Sequence, residues 1–325
     1  MEMLKISALL RGELRCPVCK DKVEIVKDQL TCNNIDCGAS FPIINNVPIL
    51  INDKESLFSI KDYISHSRTT INTNKIHWFK RFHHKLIPHI GLNLSAKKNY
   101  KRFTEALTTS LSRQPNVLVL GGSELGAGVE RITSDTSVNL VETDVTFGSR
   151  TSIICDAHDI PFEKETFDGV AIQAVLEHVV DPYRCVEEIY RVLKPQGIVY
   201  AETPFMQQVH MGKFDFTRFT HLGHRRLFRH FMEIDSGVSG GVGMALAWSY
   251  KYFLLSFSKT HYIRSLIADF AHFTSFYLKY LDYFLVKNPG SYDAASGYYF
   301  IGKKVDQILT DKELIMQYKG NITIY

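Results

Sequence analysis

The alternation of apolar runs with an amphipathic helix pattern after residue 116 most constrains how this chain can fold. "NVLVLGG" is typical of a buried strand closed by glycines, and four further apolar runs follow: "SVNLVETDV", "TSIICDA", "FDGVAIQAV" and "GIVYAETP". Between the last two runs, "DPYRCVEEIYRVLKPQG" has helical spacing, starts at an Asp-Pro N-cap and ends at Pro-Gln-Gly. Strands alternating with helices predict an α/β fold with a doubly wound, mostly parallel, Rossmann-like sheet.

Four of the six cysteines lie near the N-terminus in two closely spaced pairs, Cys16 with Cys19 and Cys32 with Cys37. Two short-range pairs suit tetrahedral zinc, whereas two disulfides or four free thiols are the alternatives. Four thiolate ligands leave no position open for water or substrate, which is typical of structural zinc. We therefore expect a small β zinc ribbon that depends on zinc for folding.

Length and charge limit the classes of protein that need consideration. A chain of 325 residues suggests two domains or one large one, and its formal charge of +4 does not demand a nucleic-acid partner. No secretory signal and no apolar run long enough for a membrane span is visible in the sequence. A cytoplasmic location is therefore expected, where cysteines stay reduced and favour metal over disulfides.

Candidate binding residues follow the predicted strands at their carboxyl ends, where open α/β sheets bind ligands. The glycine-rich turn over residues 121–128 lets the backbone approach a ligand closely, and the following helix favours negative charge. Glu142 and Asp144 end the second strand and could bind the two hydroxyls of a ribose. Asp156 follows the third strand and could accept from an adenine amino group. For any single acid, a solvated loop carboxylate is the alternative.

Two stretches resemble known families. Residues 10–51, with "CPVC", the second cysteine pair and "FPIINNVPIL", resemble the zinc-ribbon domain of a small family that activates RNA and protein methyltransferases. Residues 116–239 resemble a class I S-adenosylmethionine-dependent methyltransferase of type 11, through "CDAHDIPF", "FDGV", "LEHV" and "RVLKPQG" in that order. This second resemblance implies a seven-stranded sheet and S-adenosylmethionine as cofactor.

The resemblance also implies roles for individual residues at the cofactor edge. Gly121, Gly122 and Gly126 shape the bed for the cofactor, and Asp144 or Glu142 binds the ribose. Asp156 and Ala157 contact the adenine, and Gln173 and Val175 lie beside the methionine end. The chain departs from the family at Val119, where an acid usually stands in the first strand. Glu124 is the candidate to replace that carboxylate.

The segment after the fifth strand, residues 203–228, is the expected acceptor side. It resembles a methyltransferase subgroup associated with glycan and cell-surface polysaccharide biosynthesis, through Pro204, Phe205, His210, Asp215, Phe216, Arg218, Phe219 and Thr220. His210 is the predicted general base, with Asp215 orienting it or binding the acceptor, and His178 in "LEHV" is the rival base. Arg218 could bind an anionic acceptor group or simply brace the loop by pairing with Asp215. Phe205 and Phe219 complete the predicted substrate-binding residues.

The chain divides into four predicted parts: a zinc ribbon over 1–52, a helical linker or cap over 53–115, the methyltransferase domain over 116–304 and a C-terminal tail over 305–325. A helical insertion over 244–286 is aromatic and carries charges of both signs. This composition favours packing within the chain or in a homodimer over peripheral membrane contact. "SGYYFIGKK" is predicted as the final strand, at the sheet edge. In the histidine-rich stretch over 77–89, a packed helix is preferred to a metal site.

Together these patterns predict methyl transfer from S-adenosylmethionine to a hydroxyl of a sugar, glycan or glycan-lipid precursor. RNA base methylation is the alternative enzyme activity, and the modest positive charge of the ribbon weighs against this nucleic-acid partner. A non-catalytic methyltransferase-like protein that binds a partner is the third alternative, because Val119 replaces the usual acid.

Overall fold

A computed structural model describes residues 4–65, 87–108, 113–124 and 126–321 of the chain. The described strands are β1 (Val23–Val26), β2 (Gln29–Cys32), β3 (Ser40–Ile44), β4 (Val47–Leu50), β5 (Asn116–Leu120), β6 (Asn139–Asp144), β7 (Ile153–Cys155), β8 (Phe167–Gln173), β9 (Leu193–Pro204), β10 (Phe231–Gly240) and β11 (Gly297–Lys304). The described α-helices are α1 (Ala8–Arg11), α2 (Ile60–Ile64), α3 (Ala96–Thr108), α4 (Glu130–Thr133), α5 (Pro182–Val192), α6 (His221–Leu227), α7 (Val242–Leu255), α8 (His261–Ser275), α9 (Leu278–Leu285), α10 (Gly290–Asp293) and α11 (Asp311–Ile315).

The predicted doubly wound α/β sheet is confirmed. Its strands run in the order β7-β6-β5-β8-β9-β11-β10, with β5 to β9 parallel and β11 antiparallel to both of its neighbours. Helix α3 packs Tyr100, Phe103 and Leu107 on one face of this sheet, and α5 packs on the other through Val186 and Ile189. The strand order switches direction at β5, with β6 and β7 on one side of it and β8 and β9 on the other. Open α/β sheets have a ligand crevice at such a switch point, here at the carboxyl ends of β5, β6 and β8.

The sequence predicts β11 at the sheet edge, but this position is wrong, because β11 lies inside the sheet. On one side β11 pairs with β9, in a register that starts with Gly297 opposite Pro204. On the other side it pairs with β10, so β10 is the edge strand. Tyr298, Phe300 and Ile301 are buried, as expected for a strand paired on both sides. The chain leaves the edge through α7, α8 and α9 and then returns between the two strands.

The count of seven strands is exceeded because the N-terminal ribbon joins the same sheet. Ile49 and Leu50 of β4 pair in parallel with Ile154 and Cys155 of β7, which gives an eleven-stranded order. All four residues of β4 are buried. An exposed strand edge would offer unpaired backbone groups, and β4 covers the edge of β7.

Further contacts fasten the ribbon to the larger domain. Leu14 forms an isolated β-bridge with Phe162, and the Arg15 amide donates to the Pro161 carbonyl at 3.0 Å. The Arg15 guanidinium pairs with Glu163 at 2.7 Å. These contacts make the ribbon a packed part of the molecule rather than an appended one.

The predicted helical region over 244–286 forms α7, α8 and α9. Asp282 of α9 accepts from the amides of Gly243 and Met244 at 2.7 and 2.9 Å and so caps the start of α7. Many aromatic side chains of these helices remain exposed, among them Phe257, Phe270 and Phe284. Within the part of the chain that the structure describes, no helix is both long and apolar enough to span a membrane. The histidine-rich stretch lies outside the described residues except for 87–89.

Candidate active site and metal centres

The glycine turn after β5 folds tightly against the end of the neighbouring strands. The amides of Gly121 and Gly122 both donate to the Thr143 carbonyl at 2.9 Å. Gly121 has a φ of +82°, and a Cβ there would lie 2.3 Å from Cγ2 of Val175. Only glycine combines this conformation with this close approach. The turn thus leaves a cradle of bare backbone beside Val175.

Further along the turn, Gly126 lies against Gln173 at the end of β8. A Cβ at Gly126 would lie 2.3 Å from Oε1 of Gln173. The predicted neighbours of the cofactor's methionine end therefore meet the glycine turn. Glu124 is exposed on this turn, whereas Val119 is buried in β5. Replacement of the usual first-strand acid by Glu124 stays a prediction.

The two acids at the end of β6 have different partners. Both carboxylate oxygens of the buried Glu142 bind Arg150, at 2.8 and 2.7 Å. Asp144 accepts from the Ser123 amide at 3.0 Å and from Thr146 at 2.9 Å, which ties it to the glycine turn. Since Glu142 is committed to an ion pair, Asp144 is the better placed of the two for a ribose.

Asp156 follows β7 and caps a short 3-10 turn over Ala157–Asp159. It accepts from His158 Nδ1 at 2.5 Å and from the Ser56 hydroxyl at 2.5 Å. Burial would raise its pKa, but hydrogen bonds from His158 and Ser56 outweigh burial and lower it. Asp156 and the buried Ala157 therefore form an ionised, ordered corner at the predicted adenine position.

A buried polar network surrounds Glu202 at the end of β9, a residue that the sequence patterns do not single out. Glu202 accepts from Gln173 at 2.8 Å, from Asn93 at 2.7 Å and from the Tyr200 hydroxyl at 2.5 Å. Tyr100 donates to Gln173 at 3.4 Å. Burial raises the pKa of Glu202. Its signal in the sequence is a carboxylate ending an apolar strand, in "IVYAETP". The network fixes Gln173 beside the glycine turn.

Both predicted histidines of the acceptor side meet at the buried Glu177. Their rings pack edge to face, with centroids 4.8 Å apart. Oε1 of Glu177 lies 3.7 Å from Nε2 of His178 and 4.0 Å from Nε2 of His210. Burial raises the pKa of Glu177 to about 8 and lowers that of His178. The sequence patterns single out His178 and His210 but not Glu177, which stands beside His178 in "LEHV".

Asp215 and Arg218 form the loop brace that was one of two alternatives for them. Arg218 donates two hydrogen bonds to Asp215 and also donates to the carbonyls of Gln207 and Gln208, at 2.9 and 3.2 Å. Burial opposes ionisation of Asp215, but Arg218 and the His210 amide hold its pKa well below the usual range. Arg218 would have to leave these partners to bind an acceptor anion. Asp215 accepts from the His210 amide at 2.9 Å and lies 3.4 Å from Nδ1 of His210, whose hydrogen-bond partner is the Gln208 carbonyl at 3.3 Å.

Phe205 and Phe219, predicted to contact the acceptor, occupy different surroundings. Phe205 is half-buried and stacks on Tyr298, with ring centroids 5.7 Å apart. Phe219 is buried and packs near His224. Their role toward an acceptor stays a prediction.

The four cysteines of the ribbon come together as their spacing predicts. Sγ of Cys16 lies 3.8 Å from Sγ of Cys37, and Sγ of Cys19 lies 3.4 Å from Sγ of Cys32. All four sulfur atoms lie within 4.8 Å of one another. Tetrahedral zinc with bonds of about 2.3 Å needs sulfur atoms about 3.8 Å apart, so the cluster fits a zinc ion.

A comparison with protein families identifies the central part of the sheet. Residues 124–201 match a family model described as a methyltransferase domain. The match begins in the glycine turn and ends within β9, so it includes Asp144, Asp156 and Gln173. This segment of the chain is therefore similar to a methyltransferase domain.

Curated relatives match only over short segments. A demethylmenaquinone methyltransferase of Clavibacter sepedonicus is 36% identical over 27% of this chain and 32% of its own length. Cycloartenol-C-24-methyltransferase 1 of Oryza sativa subsp. japonica is 32% identical over 36% of this chain and 38% of its own length. The chain thus spans about a third of the length of these relatives.

Solved structures with similarity to the chain are distant. A complex of the Haloferax volcanii Trm112 methyltransferase activator with a methyltransferase gives a TM-score of 0.39 at 17% identity, over 65% of this chain and 92% of the matched chain. A Burkholderia thailandensis 1,6-didemethyltoxoflavin-N1-methyltransferase with bound S-adenosylhomocysteine gives 0.40 at 12% identity, over 84% and 99%.

Proposed function

We propose that this protein transfers a methyl group from S-adenosylmethionine to a hydroxyl oxygen of a sugar, glycan or glycan-lipid precursor. The observation that carries methyl transfer is the coincidence of the family match with the glycine cradle and Asp144 at one edge of the sheet. When bound, S-adenosylmethionine supplies an electrophilic methyl group on a sulfonium centre. The rest of the proposal concerns what the residues of this chain do around it.

At the cofactor edge, each residue group has a separate binding task. The backbone of Gly121 and Gly126 receives the amino-acid portion, and Asp144 accepts from the ribose hydroxyls. Asp156, already ordered by His158, accepts from the adenine amino group. The proposal assigns no direct contact to Glu142, because Arg150 occupies both of its oxygens.

On the acceptor side, His210 and His178 are the candidate proton acceptors. An attacking hydroxyl must lose its proton as its oxygen bonds to the methyl carbon, and a neutral imidazole near this hydroxyl can take that proton. His178 Nδ1 is 2.8 Å from the Phe214 carbonyl, so it donates there and leaves Nε2 as an acceptor. Nδ1 of His210 lies 3.3 Å from the Gln208 carbonyl, which selects the same tautomer, and Asp215 holds the His210 amide.

The acceptor class rests on the loop and not on the relatives. The curated relatives are named for demethylmenaquinone and cycloartenol, but the family match ends at residue 201, before the loop that follows β9. That loop brings imidazole, carboxylate and guanidinium groups together, as a polar hydroxyl acceptor requires. Its resemblance to glycan-linked methyltransferases supports a sugar acceptor.

We also propose that the four cysteines hold a structural zinc ion. The sulfur separations suit tetrahedral coordination, and four protein thiolates complete it. The ribbon would then serve as a platform folded by zinc against the β7 edge.

Calorimetric titration with S-adenosylhomocysteine tests the cofactor assignment. We expect binding by the wild-type protein and a loss of about tenfold or more in Asp144→Ala, the equivalent of one to two hydrogen bonds. Asp135→Ala is the matched control, because Asp135 precedes β6 at its opposite end. No measurable binding by the wild type would overturn the enzyme assignment.

The acceptor is tested with radiolabelled S-adenosylmethionine and three acceptor pools: sugar nucleotides with lipid-linked glycans, quinols, and RNA. We expect label on a sugar oxygen, located by NMR of the purified product. Label on a quinol ring carbon, or on RNA with strong salt dependence, would replace the sugar assignment while leaving methyl transfer intact.

A further inference from the structure

We propose that Glu177, His178 and His210 form a second metal site, which binds a divalent first-row transition-metal cation at the acceptor side. The three side chains come from two loops: Glu177 and His178 follow β8, and His210 follows β9. One ligand atom from each lies within 4.8 Å of the others. The four-cysteine cluster is the other such group among the described residues.

The distances suit an open chelate that closes slightly on a cation. Oε1 of Glu177 is 3.7 Å from Nε2 of His178 and 4.0 Å from Nε2 of His210. Metal bonds of about 2.0–2.2 Å to nitrogen and oxygen place neighbouring ligand atoms roughly 3–3.5 Å apart. Shifts of about half an ångström or less by the two imidazoles, which are both partly exposed, bring both separations from Glu177 into that range.

Both imidazoles are already oriented as metal ligands. Nδ1 of His178 lies 2.8 Å from the Phe214 carbonyl, and Nδ1 of His210 lies 3.3 Å from the Gln208 carbonyl. A carbonyl or carboxylate on Nδ1 fixes the tautomer that leaves a lone pair on Nε2, the arrangement common behind metal-bound histidines. In that tautomer the two Nε2 atoms present lone pairs toward Glu177.

Glu177 itself lacks the partner that its burial demands. Its side chain is 1% exposed, and its Oε2 atom has no hydrogen-bond partner among the residues that the structure describes. A buried carboxyl oxygen left unsatisfied is costly, so such groups usually hold a hydrogen bond, a charge or a metal. The nearest cation, Arg218, is bound to Asp215 and to loop carbonyls. A metal cation between Oε1 and the two histidines would balance the charge of the buried carboxylate, and bidentate binding would satisfy Oε2 as well.

The donor set selects the kind of cation. Two imidazoles and one carboxylate suit manganese, iron, cobalt, nickel or zinc, whereas magnesium and calcium prefer oxygen ligands. Three protein ligands leave positions open, unlike the closed four-cysteine cluster. His178 and His210 are both partly exposed, so an acceptor oxygen can reach an open position. If the proposed methyl transfer holds, the loaded site replaces the histidines as the means of deprotonation: their Nε2 atoms would bind the cation, the cation would bind the acceptor hydroxyl, and the proton would be released to solvent.

Manganese titration monitored by EPR of free Mn²⁺ tests the site in the full, zinc-loaded chain. Mn²⁺ disfavours thiolates, so the ribbon does not obscure the result. We expect one Mn²⁺ per chain, at least about tenfold weaker binding in Glu177→Gln and His178→Ala, and a smaller loss in Asp215→Asn. His261→Ala, on the exposed start of α8, is the matched histidine control and should bind Mn²⁺ as the wild type does.

Two outcomes overturn the site: no Mn²⁺ binding by the wild type, or equal binding by Glu177→Gln and His178→Ala. If burial of Glu177 makes its variant unfold, His210→Ala on the partly exposed loop gives the same comparison in a folded protein. Titration with S-adenosylhomocysteine separates the two proposals. Lost cofactor binding with retained Mn²⁺ binding would reject only methyl transfer, and the reverse would reject only the metal site.

Discussion

The four-cysteine cluster of the ribbon and the Glu177–His178–His210 cluster assemble ligand atoms in opposite ways. The cysteines lie on two turns of one short hairpin module, and Cys16 and Cys32 are buried. The second cluster joins two loops that follow different strands of the parallel sheet, and His210 reaches solvent. The first is complete without any further ligand, whereas the second has room for one.

This difference separates a part of the molecule that folds around its ligand from a part that is folded before it binds. The ribbon is too small to form a substantial core alone, and four thiolates with no metal would repel one another when ionised. The acceptor loop is instead braced by Asp215 and Arg218 and anchored by amides of Phe216 and Thr217 on the Glu177 carbonyl. We therefore expect ligand removal to unfold the ribbon and to leave the acceptor loop in place.

Removal of zinc should give the largest effect. In Cys32→Ser or after chelation, we expect β1 to β4 to lose hydrogen-exchange protection, at a cost of several kcal/mol, because structural zinc supplies folding free energy outright. Hydrogen exchange followed by mass spectrometry measures this change. Cys185→Ala is the control, since this buried cysteine lies in α5 outside the cluster, and it should cost about 1–2 kcal/mol. Unchanged protection of β4 in zinc-free protein would contradict a platform that depends on zinc.

The glycine turn gives the converse test, because it perturbs the cofactor edge without touching the ribbon. In Gly121→Ala, the new Cβ would meet Val175 at 2.3 Å and the backbone would keep a φ of +82°. We expect a loss of about 2–3 kcal/mol in unfolding free energy and at least tenfold weaker S-adenosylhomocysteine binding.

Gly212→Ala is a matched control for that substitution. Gly212 also has a positive φ, of +56°, but nothing lies within 4 Å of its Cβ position. It should cost only the conformational penalty of about 1 kcal/mol and leave cofactor affinity unchanged. Equal effects of the two variants would show that strain alone, and not the close approach to Val175, explains the glycine.

Much of the fold could be predicted from the sequence because its elements are encoded in local patterns. The cysteine spacing, the five parallel strands and the acids at their ends are each encoded within a few residues, so periodicity and turn chemistry reveal them. The pairing of β4 with β7 and the insertion of β11 between β9 and β10 depend on contacts between distant segments. A strand pattern shows that a segment is extended but does not show which neighbour it pairs with.

The same distinction applies within the candidate site. Asp144 and Asp156 are found from their position at strand ends, whereas Glu177 and Glu202 become notable only through burial and partners. Glu202 lies in a network that joins β9 to Gln173 of β8 and to Asn93 in the loop before α3, and these two partners are far from it in sequence. The sequence does predict the ion pair between Asp215 and Arg218 as one of two alternatives, because residues three apart in sequence can pair locally.

Acidification should lower the free energy of unfolding because two buried histidines of α6 take up protons more readily in the unfolded chain. Burial lowers the pKa of His221 to about 4 and that of His224 to about 3. The unfolded chain binds these protons near the ordinary pKa of about 6.5, so stability is full above that pH and falls as the pH drops toward the folded values. Each histidine contributes a slope of about 1.4 kcal/mol per pH unit within its window.

Urea unfolding from pH 7 to pH 4 measures that slope. We expect His224→Phe to flatten it, because the ring packs on Phe228 at 5.3 Å and its Nε2 atom has no partner among the described residues. His224→Gln removes the titration but keeps a polar group, and should flatten the slope as well. A slope that stays steep in both variants would place the acid sensitivity elsewhere.

The ion pair between Arg15 and Glu163 should give the smallest effect. It joins the ribbon to the loop before β8 at 2.7 Å, but the Glu163 side chain is 40% exposed. Exposed pairs typically contribute about 0.2–1 kcal/mol and weaken with salt, so Glu163→Gln should lower ribbon protection by no more than that and only at low salt. Glu105→Gln in α3 removes a comparable exposed pair, with Lys101, away from the ribbon and should leave its hydrogen exchange unchanged. A larger loss of hydrogen-exchange protection in Glu163→Gln would mean that ion pairs at its surface mainly hold the ribbon in place. A loss within the expected range would leave the attachment to backbone contacts, namely the pairing of β4 with β7 and the bridge between Leu14 and Phe162.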